Sequence, residues 1–364
     1  MEPSANAQVI PPPVSRVAPT PRRIVIKAVN WLGDVVMTLP AMRAVRRAFP
    51  EAYLAVLIKK ELASFFDGDP RVDEVIPYSL ASGLAGLNHR FKIVGELRSR
   101  HFDLGIAMPN SFQSALWLTA AGIPRRAGYA LDKRGPILTH KAAPPPDAMD
   151  GHQSRYFLAM IRETLGVEGD PDDLAISPAP VHVASMREWL RNQRRRPDAP
   201  LIAMAPAAAY GPAKEWPAKN FASVIDGLAE RIGAECVLVG APSERAKCEE
   251  VAALTASGAM VSAGATNIGE LIALLSISSG FVGNDSGCMH LAGALGIPTV
   301  AIFGSTNPLR TGPAGVRSRV IWHHLECSPC LARTCRFGHY HCLHQVEPQE
   351  ALEALSALEV GALR

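Results

Sequence analysis

A chain of 364 residues, 48% hydrophobic and with a formal net charge of +3, is long enough for two α/β domains with separate cores and too weakly charged to suit a nucleic-acid protein. No apolar run approaches the ~20 residues needed to span a bilayer, and the first 21 residues lack the long apolar core of a signal peptide, so a cytoplasmic protein is expected. Seven cysteines, an odd number without an export signal, imply reduced thiols and exclude a disulfide framework as the basis of the fold.

Charge is uneven along the chain. Residues 1–150 carry 19 Lys+Arg against 13 Asp+Glu, and the remainder 18 against 21. A basic first half favours an anionic partner or transient contact with a membrane surface, and scattered solvated arginines are the plainer alternative.

Residues 1–21, with Pro11-Pro12-Pro13, Pro19 and Pro21, have too little apolar content to pack and read as a disordered tail. Order begins at Arg23–Val29, a β-branched run that reads as a buried strand and breaks at Asn30. From Val35 the apolar spacing turns helical through Met37, Leu39, Met42 and Val45, until Phe49-Pro50 ends it. Tyr53–Ile58 follows as a strand, so the chain opens on a β-α-β unit. Val72–Pro77 and Leu104–Met108 read as further strands, with a helix over Arg90–Arg100. Such alternation predicts a mostly parallel sheet covered on both faces.

Proline and aspartate crowd residues 142–150 and 169–180, and the arginine-rich stretch Arg191–Pro200 follows, which places a domain boundary nearby. A second alternating series then starts. It comprises strands Leu201–Met204, Cys236–Gly240, Met260–Val261, Gly280–Val282 and Thr299–Phe303, and helices over Phe221–Arg231, from Ser243, over Ile268–Ser276 and over Gly287–Leu295. The division predicted is a tail (1–21), a first domain (22–178), a second domain (179–348) and a C-terminal amphipathic helix (349–364) with Leu352, Leu355 and Leu358 on one side.

Ligands of parallel sheets bind outside the carboxyl ends of the strands, so the strand-to-helix turns are the places to search. The first is Asn30-Trp31-Leu32-Gly33-Asp34, an acidic residue at a helix start behind a glycine; Asp34 is either a functional carboxylate or an N-cap. The second is Gly283-Asn284-Asp285-Ser286-Gly287, whose helix-start amides suit a nucleotide diphosphate, with Gly287 removing an obstructing side chain. Asp285 could bond sugar hydroxyls, or it or Ser286 could be a cap, and His290 is either a ligand contact or a packed histidine. A third turn, Tyr210-Gly211-Pro212-Ala213-Lys214-Glu215-Trp216-Pro217, presents a lysine to the same cleft.

In this order, these segments resemble glycosyltransferase family 9, the heptosyltransferases of lipopolysaccharide core assembly. The resemblance runs from Ile24 to about Pro348. It rests on Gly33-Asp34 with Leu39-Pro40-Ala41, Gly122–Tyr129, Lys214–Pro217, Asn284–Gly287 with Met289–Ala292, and Phe303–Pro308. Asn30-Trp31 and Tyr210–Lys214 are more similar to the second heptosyltransferase group than to the first. The resemblance implies a GT-B architecture of two facing Rossmann-like domains, with ADP-heptose held mainly by the second and no cofactor. It further implies Asp34 as general base and Lys214 as the group that stabilises the departing diphosphate. Tyr210, Gly211, Glu244, Asn284, Asp285, Ser286, Gly287 and His290 would bind the donor, with Asp285 on the heptose and Glu244 on the ribose. Asn30, Trp31, Arg125 and Arg126 would meet an anionic lipid-linked saccharide at the inner face of the inner membrane, with a solvated face as the alternative for either arginine. Ala207-Ala208-Ala209 departs from the family, where a glycine or hydroxyl residue is frequent. A nucleotide-sugar 2-epimerase, a non-catalytic nucleotide-sugar-binding protein and a protein-modifying relative are the competing readings.

Three further signals stand apart. Cys327, Cys330, Cys335 and Cys342 have a spacing a zinc site could use, with free thiols as the alternative. Asp67-Gly68-Asp69 matches a metal-nucleotide pattern but reads as a turn, so metal-independent transfer is expected. Arg43, Arg46 and Arg47 could form a basic face toward the acceptor or a solvated one.

Overall fold

The computed structural model describes residues 17–80 and 83–360. Among them are twelve strands in two sheets. The first sheet holds β1 (Arg23–Lys27), β2 (Tyr53–Lys59), β3 (Glu74–Tyr78), β4 (Leu104–Ala107), β5 (Arg125–Tyr129) and β6 (His140–Ala142). The second holds β7 (Leu201–Ala205), β8 (Glu235–Leu238), β9 (Met260–Val261), β10 (Gly280–Asn284), β11 (Thr299–Phe303) and β12 (Ser318–Trp322). The first runs β3-β2-β1-β4-β5-β6; the second, β12-β11-β10-β7-β8-β9, has the same order counted within its own domain. All pairings among these strands are parallel. This is the doubly wound order of dinucleotide-binding folds, present twice, and the GT-B architecture expected from the sequence is the one observed.

The connecting helices are α1 (Leu32–Ala48), α2 (Gly83–Ser99), α3 (Phe112–Ala120), α4 (Gln153–Leu165), α5 (Pro180–Gln193), α6 (Ala218–Ile232), α7 (Arg245–Leu254), α8 (Ile268–Ser276), α9 (Gly287–Ala294), α10 (Pro308–Thr311), α11 (His341–His344) and α12 (Pro348–Ser356). Central strands are apolar throughout because both faces are covered: Ile24, Val25 and Ile26 of β1 have no exposed surface. α1 is buried along its length from Val35 to Val45, since it lies between its own sheet and the second domain. One core cluster accordingly runs through both domains, joining Ile24, Val35 and Leu39 to Met289 and Leu291.

Two helices were not anticipated, one on either side of the second proline-rich stretch. In α4 the buried residues Tyr156, Phe157, Met160, Ile161 and Leu165 form the inward face, and α5 begins on Pro180, where a missing N–H costs nothing. The Arg191–Pro200 stretch starts inside α5. The chain's last described helix, α12, is part of the second domain's wall: Leu352 and Leu355 pack in one cluster with Trp216 and Phe221.

The tail reading meets a correction at its end. Residues 1–16 lie outside the described residues, but Val17 is buried and the Pro19 carbonyl accepts a hydrogen bond from Arg125. Residues 361–364 of the C-terminal segment also lie outside them. No helix among the described residues is long and apolar enough to cross a membrane.

Candidate active site

Where strand order reverses, successive crossovers leave on opposite faces of the sheet and open a crevice beyond the strands' carboxyl ends. That reversal falls between β1 and β4 in the first sheet and between β7 and β10 in the second. The turn after β1 leads to Asp34 in the first turn of α1, the turn after β7 leads to Lys214, and the turn after β10 carries Asp285, Ser286 and Gly287. The two crevices face each other. A Cβ on Gly33 would fall 2.5 Å from His290 Cδ2, and one on Gly287 would fall 2.8 Å from Leu32 Cβ. Gly287 therefore clears room first for the other domain's helix, a correction to its reading as a phosphate glycine alone.

Neither aspartate is a cap. Trp31 occupies the N-cap of α1 and Ser286 that of α9, and neither makes a side-chain cap bond. The Ser286 hydroxyl is buried and has no hydrogen-bond partner among the described residues. An unpaired buried hydroxyl at a helix start, where free amides and the helix dipole favour negative charge, fits an anionic ligand oxygen.

The Lys214 loop is tightly braced. Gly211 has φ +139°, a conformation few other residues accept, and a Cβ there would lie 2.7 Å from the Arg333 carbonyl oxygen. Tyr210 donates its hydroxyl to the Leu331 carbonyl at 2.6 Å, and Lys214 Nζ lies 4.8 Å from the centre of its ring. Asn284 is wholly buried; its side chain accepts from the Trp216 N–H at 3.0 Å and donates to the Pro206 carbonyl at 2.8 Å. Both of its polar ends are spent on closing this loop, so Asn284 braces the second domain's wall of the cleft and offers it no free polar atom.

At the centre, Lys214 Nζ meets Asp285 Oδ2 at 2.5 Å, and the Thr306 hydroxyl donates to the same oxygen at 2.6 Å. Thr306 was missed as a site residue although the segment Phe303–Pro308 had been noticed; nothing in its spacing links it to Asp285. Burial raises the Asp34 pKa to about 6, with Lys214 pulling it down and Asp285 pushing it up. Asp34 is thus within electrostatic reach of the ion pair across the cleft. His290 is driven by burial down to about 4, Asp285 opposing and His152 and Lys214 adding to the shift, so it is neutral near pH 7. His152 joins the two domains through a 3.2 Å contact from Nε2 to the Gly312 carbonyl and was also missed, being an isolated histidine in a proline-rich stretch. Glu244, past the end of β8, accepts from the Ala241 N–H at 2.7 Å; burial raises its pKa against that bond, and Glu215 raises it further.

Other predicted site residues lie elsewhere. Arg125 and Arg126 open β5 and so stand at the amino end of the sheet, away from the crevice. Arg125 bonds the carbonyls of Pro19 and Asp103, and Arg126 those of Ile137, Ile123 and Pro124. Planar guanidinium groups there tie loops together, and the acceptor role expected for them is withdrawn. Arg43 and Arg47 hold Asp173 of the interdomain linker, and Arg46 bonds Asp73 and the carbonyls of Arg71, Pro50 and Ala52. In the Asp67-Gly68-Asp69 turn, Asp67 meets His182 at 2.9 Å and Asp69 is clamped by Arg71.

Cys327, Cys330, Cys335 and Cys342 line one cavity of about 20 Å³ with His339. The Cys335 thiol is held below its usual range because the backbone N–H groups of Tyr340, Phe337, Gly338 and His339 outweigh burial. Among the described residues no group of three or more His, Cys, Asp or Glu side chains is arranged to hold a metal ion, and none of the four cysteines is in a disulfide. Asn30 and Trp31 lie exposed on the rim beside Asp34.

The family model for glycosyltransferase family 9 (heptosyltransferase) matches residues 90–341. The chain belongs to glycosyltransferase family 9. It is 28% identical over 342 residues to lipopolysaccharide heptosyltransferase 2 of Escherichia coli K12, covering 92% of this chain and 98% of that protein. It is 26% identical over 329 residues to lipopolysaccharide heptosyltransferase 1 of Pseudomonas aeruginosa, covering 86% and 88%. Among solved structures, E. coli ADP-heptose lipopolysaccharide heptosyltransferase II superposes with a TM-score of 0.79 at 25% identity, over 92% of this chain and 98% of that one. The family 9 glycosyltransferase of Veillonella parvula superposes at 0.81 with 22% identity, over 93% and 97%, and shares the fold. Membership in family 9 makes this chain a glycosyltransferase of heptosyltransferase type, with its cleft between the two doubly wound domains.

Proposed function

We propose that the chain transfers a heptose from ADP-heptose to the inner core of lipopolysaccharide, with inversion at the anomeric carbon and without a metal ion. The observation that carries this reading is the convergence of the half-buried Asp34 carboxylate on the Lys214–Asp285 pair across two facing crevices. The similarity to lipopolysaccharide heptosyltransferase 2 along 98% of that protein supports the choice of sugar and acceptor.

In this scheme an acceptor hydroxyl attacks the anomeric carbon from the side of α1, and Asp34 takes its proton. The bond from that carbon to the diphosphate oxygen breaks on the opposite face, and ADP leaves with the electron pair. Lys214 and the amides that begin α9 stabilise the charge gathering on the diphosphate, a contribution usually larger than that of proton transfer. The Oδ1 of Asp285 remains to accept from a heptose hydroxyl while Oδ2 holds Lys214 and Thr306. Tyr210, Gly211, Ser286 and His290 shape the donor side in this scheme, and Glu244 takes the ribose. Asn30 and Trp31 stand on the acceptor side, where the substrate is an anionic lipid-linked saccharide met at the cytoplasmic face of the inner membrane.

Incubation with ADP-heptose and a heptose-deficient core glycolipid tests this. ADP release matched by a gain of one heptose in acceptor mass is expected. Consumption of the donor without acceptor would instead mark an epimerase, and binding without turnover a non-catalytic relative.

A further inference from the structure

A buried cation at the carboxyl end of the first sheet takes no part in the chemistry above. Lys27, the last residue of β1, is 2% exposed, and its Nζ donates to the Ala28 carbonyl and, at 3.4 Å, to Asn30 Oδ1. It lies 5.0 Å from the centre of the Tyr78 ring, and the Tyr78 hydroxyl donates to the same Asn30 oxygen at 2.9 Å. No carboxylate forms an ion pair with Lys27 among the described residues, and the charge that acts on it is another cation, Lys59. The ammonium is solvated by dipoles and a ring face but not neutralised. A methionine or leucine would fill the same space without the desolvation cost, so packing alone does not account for a lysine.

Two donors on one oxygen also fix the Asn30 amide. The flipped orientation would set its NH2 group against an ammonium and a hydroxyl, so Nδ2 turns away from both. Asn30 is exposed and precedes Asp34 by one short turn. Its free N–H groups, backed by a positive charge, stand on the acceptor rim of the cleft.

We propose that Asn30, Lys27 and Tyr78 form an oxyanion subsite in which the Asn30 amide donates to a carboxylate or phosphate oxygen of the saccharide acceptor, with Lys27 and Tyr78 as positioning residues. This rests on the reading of the chain as a transferase to an anionic saccharide. Burial, with Lys59 adding to it, pulls the Lys27 pKa down to about 7, so near neutral pH the amine is charged only in part and an anion's approach favours its protonated form.

The test is steady-state transfer from ADP-heptose to three acceptors: the intact core glycolipid, its dephosphorylated form and its carboxyl-reduced form. Wild type, Lys27→Met, Lys27→Arg and Tyr78→Phe are compared, with thermal denaturation as the control for folding of the first domain and ADP-heptose affinity as the control for the donor side. Lys27→Met should raise KM for the intact acceptor about tenfold, the scale of one charge-assisted hydrogen bond, and lower kcat less. Lys27→Arg should recover part of the loss, and Tyr78→Phe should show the same pattern at smaller size, which keeps the test open if Lys27→Met does not fold. The modified acceptor that raises the wild-type KM by a like factor, and does nothing further in Lys27→Met, identifies the oxyanion as phosphate or carboxylate. Equal penalties of Lys27→Met and Tyr78→Phe on all three acceptors, or no change in KM, would overturn the subsite while leaving the transferase reading intact. No transfer by wild type to any of the three overturns that reading itself.

Discussion

Lys214 and Asp285 come from different turns of the second sheet, 71 residues apart in sequence, and meet at 2.5 Å with only 12% and 3% of their side chains exposed. A pair this buried gives little net stability, because desolvation consumes most of the Coulomb gain, but breaking it leaves an uncompensated charge. It fits a site arranged for chemistry. Lys214→Met should therefore lower the unfolding free energy by about 3–5 kcal/mol in denaturant titrations and lower kcat by roughly 10²–10³. Loss of stability with full turnover would remove Lys214 from the charge-stabilising role.

The same lysine sets the pH response. Asp34 must be ionised to accept a proton, and with its pKa near 6 the rate should fall as pH drops through that value. Because Lys214 is the group that holds Asp34 down, Lys214→Met should move the acid limb of kcat/KM to higher pH. A limb that stays in place in the variant would show that another group titrates there.

Asp34 also has a stability signature. Its ordinary value is 3.8 and its folded value about 6, so between the two the folded chain keeps a proton that the unfolded chain releases. Stability therefore falls with rising pH across that window, and the full penalty is present above about 6. Asp34→Asn should be more stable than wild type at pH 8, by on the order of 1–3 kcal/mol, with the advantage shrinking as pH falls toward 4. Denaturation midpoints at several pH values check this; a gap that does not depend on pH would locate the penalty elsewhere.

The seam between the domains gives a steric prediction. Gly33→Ala puts a methyl group 2.5 Å from the ring of His290, so α1 and α9 must separate. Separation moves the base away from the donor, and a displacement of ~1 Å at a reacting centre costs on the order of 10² in rate. Single-turnover rates should fall accordingly while ADP affinity, which the proposed function assigns to the second domain, changes little. An unaltered rate would mean that the seam yields elsewhere.

Much of this was legible in the sequence, and the reasons for the rest are particular. Buried strands such as Arg23–Lys27 and Thr299–Phe303 announce themselves because coverage on both faces demands continuous apolar runs. β5 does not, since Arg-Arg-Ala-Gly-Tyr opens on two arginines whose guanidinium groups satisfy loop carbonyls at the sheet's amino end. That same feature drew Arg125 and Arg126 into the acceptor site: a motif marks residues as belonging together without saying which end of a strand they occupy. Asn284 was drawn to the ligand for a similar reason, although its bonds to Trp216 and Pro206 are purely internal. Lys27, Thr306 and His152 stayed unseen because each acquires its meaning only from partners far along the chain.

The central claim is that Asp34 is the general base. Its most direct test is pre-steady-state transfer from ADP-heptose to the core glycolipid by wild type and Asp34→Asn, with ADP-heptose binding measured in parallel. The account predicts a rate lower by at least ~10² with donor affinity nearly unchanged. A wild-type rate in Asp34→Asn would contradict it.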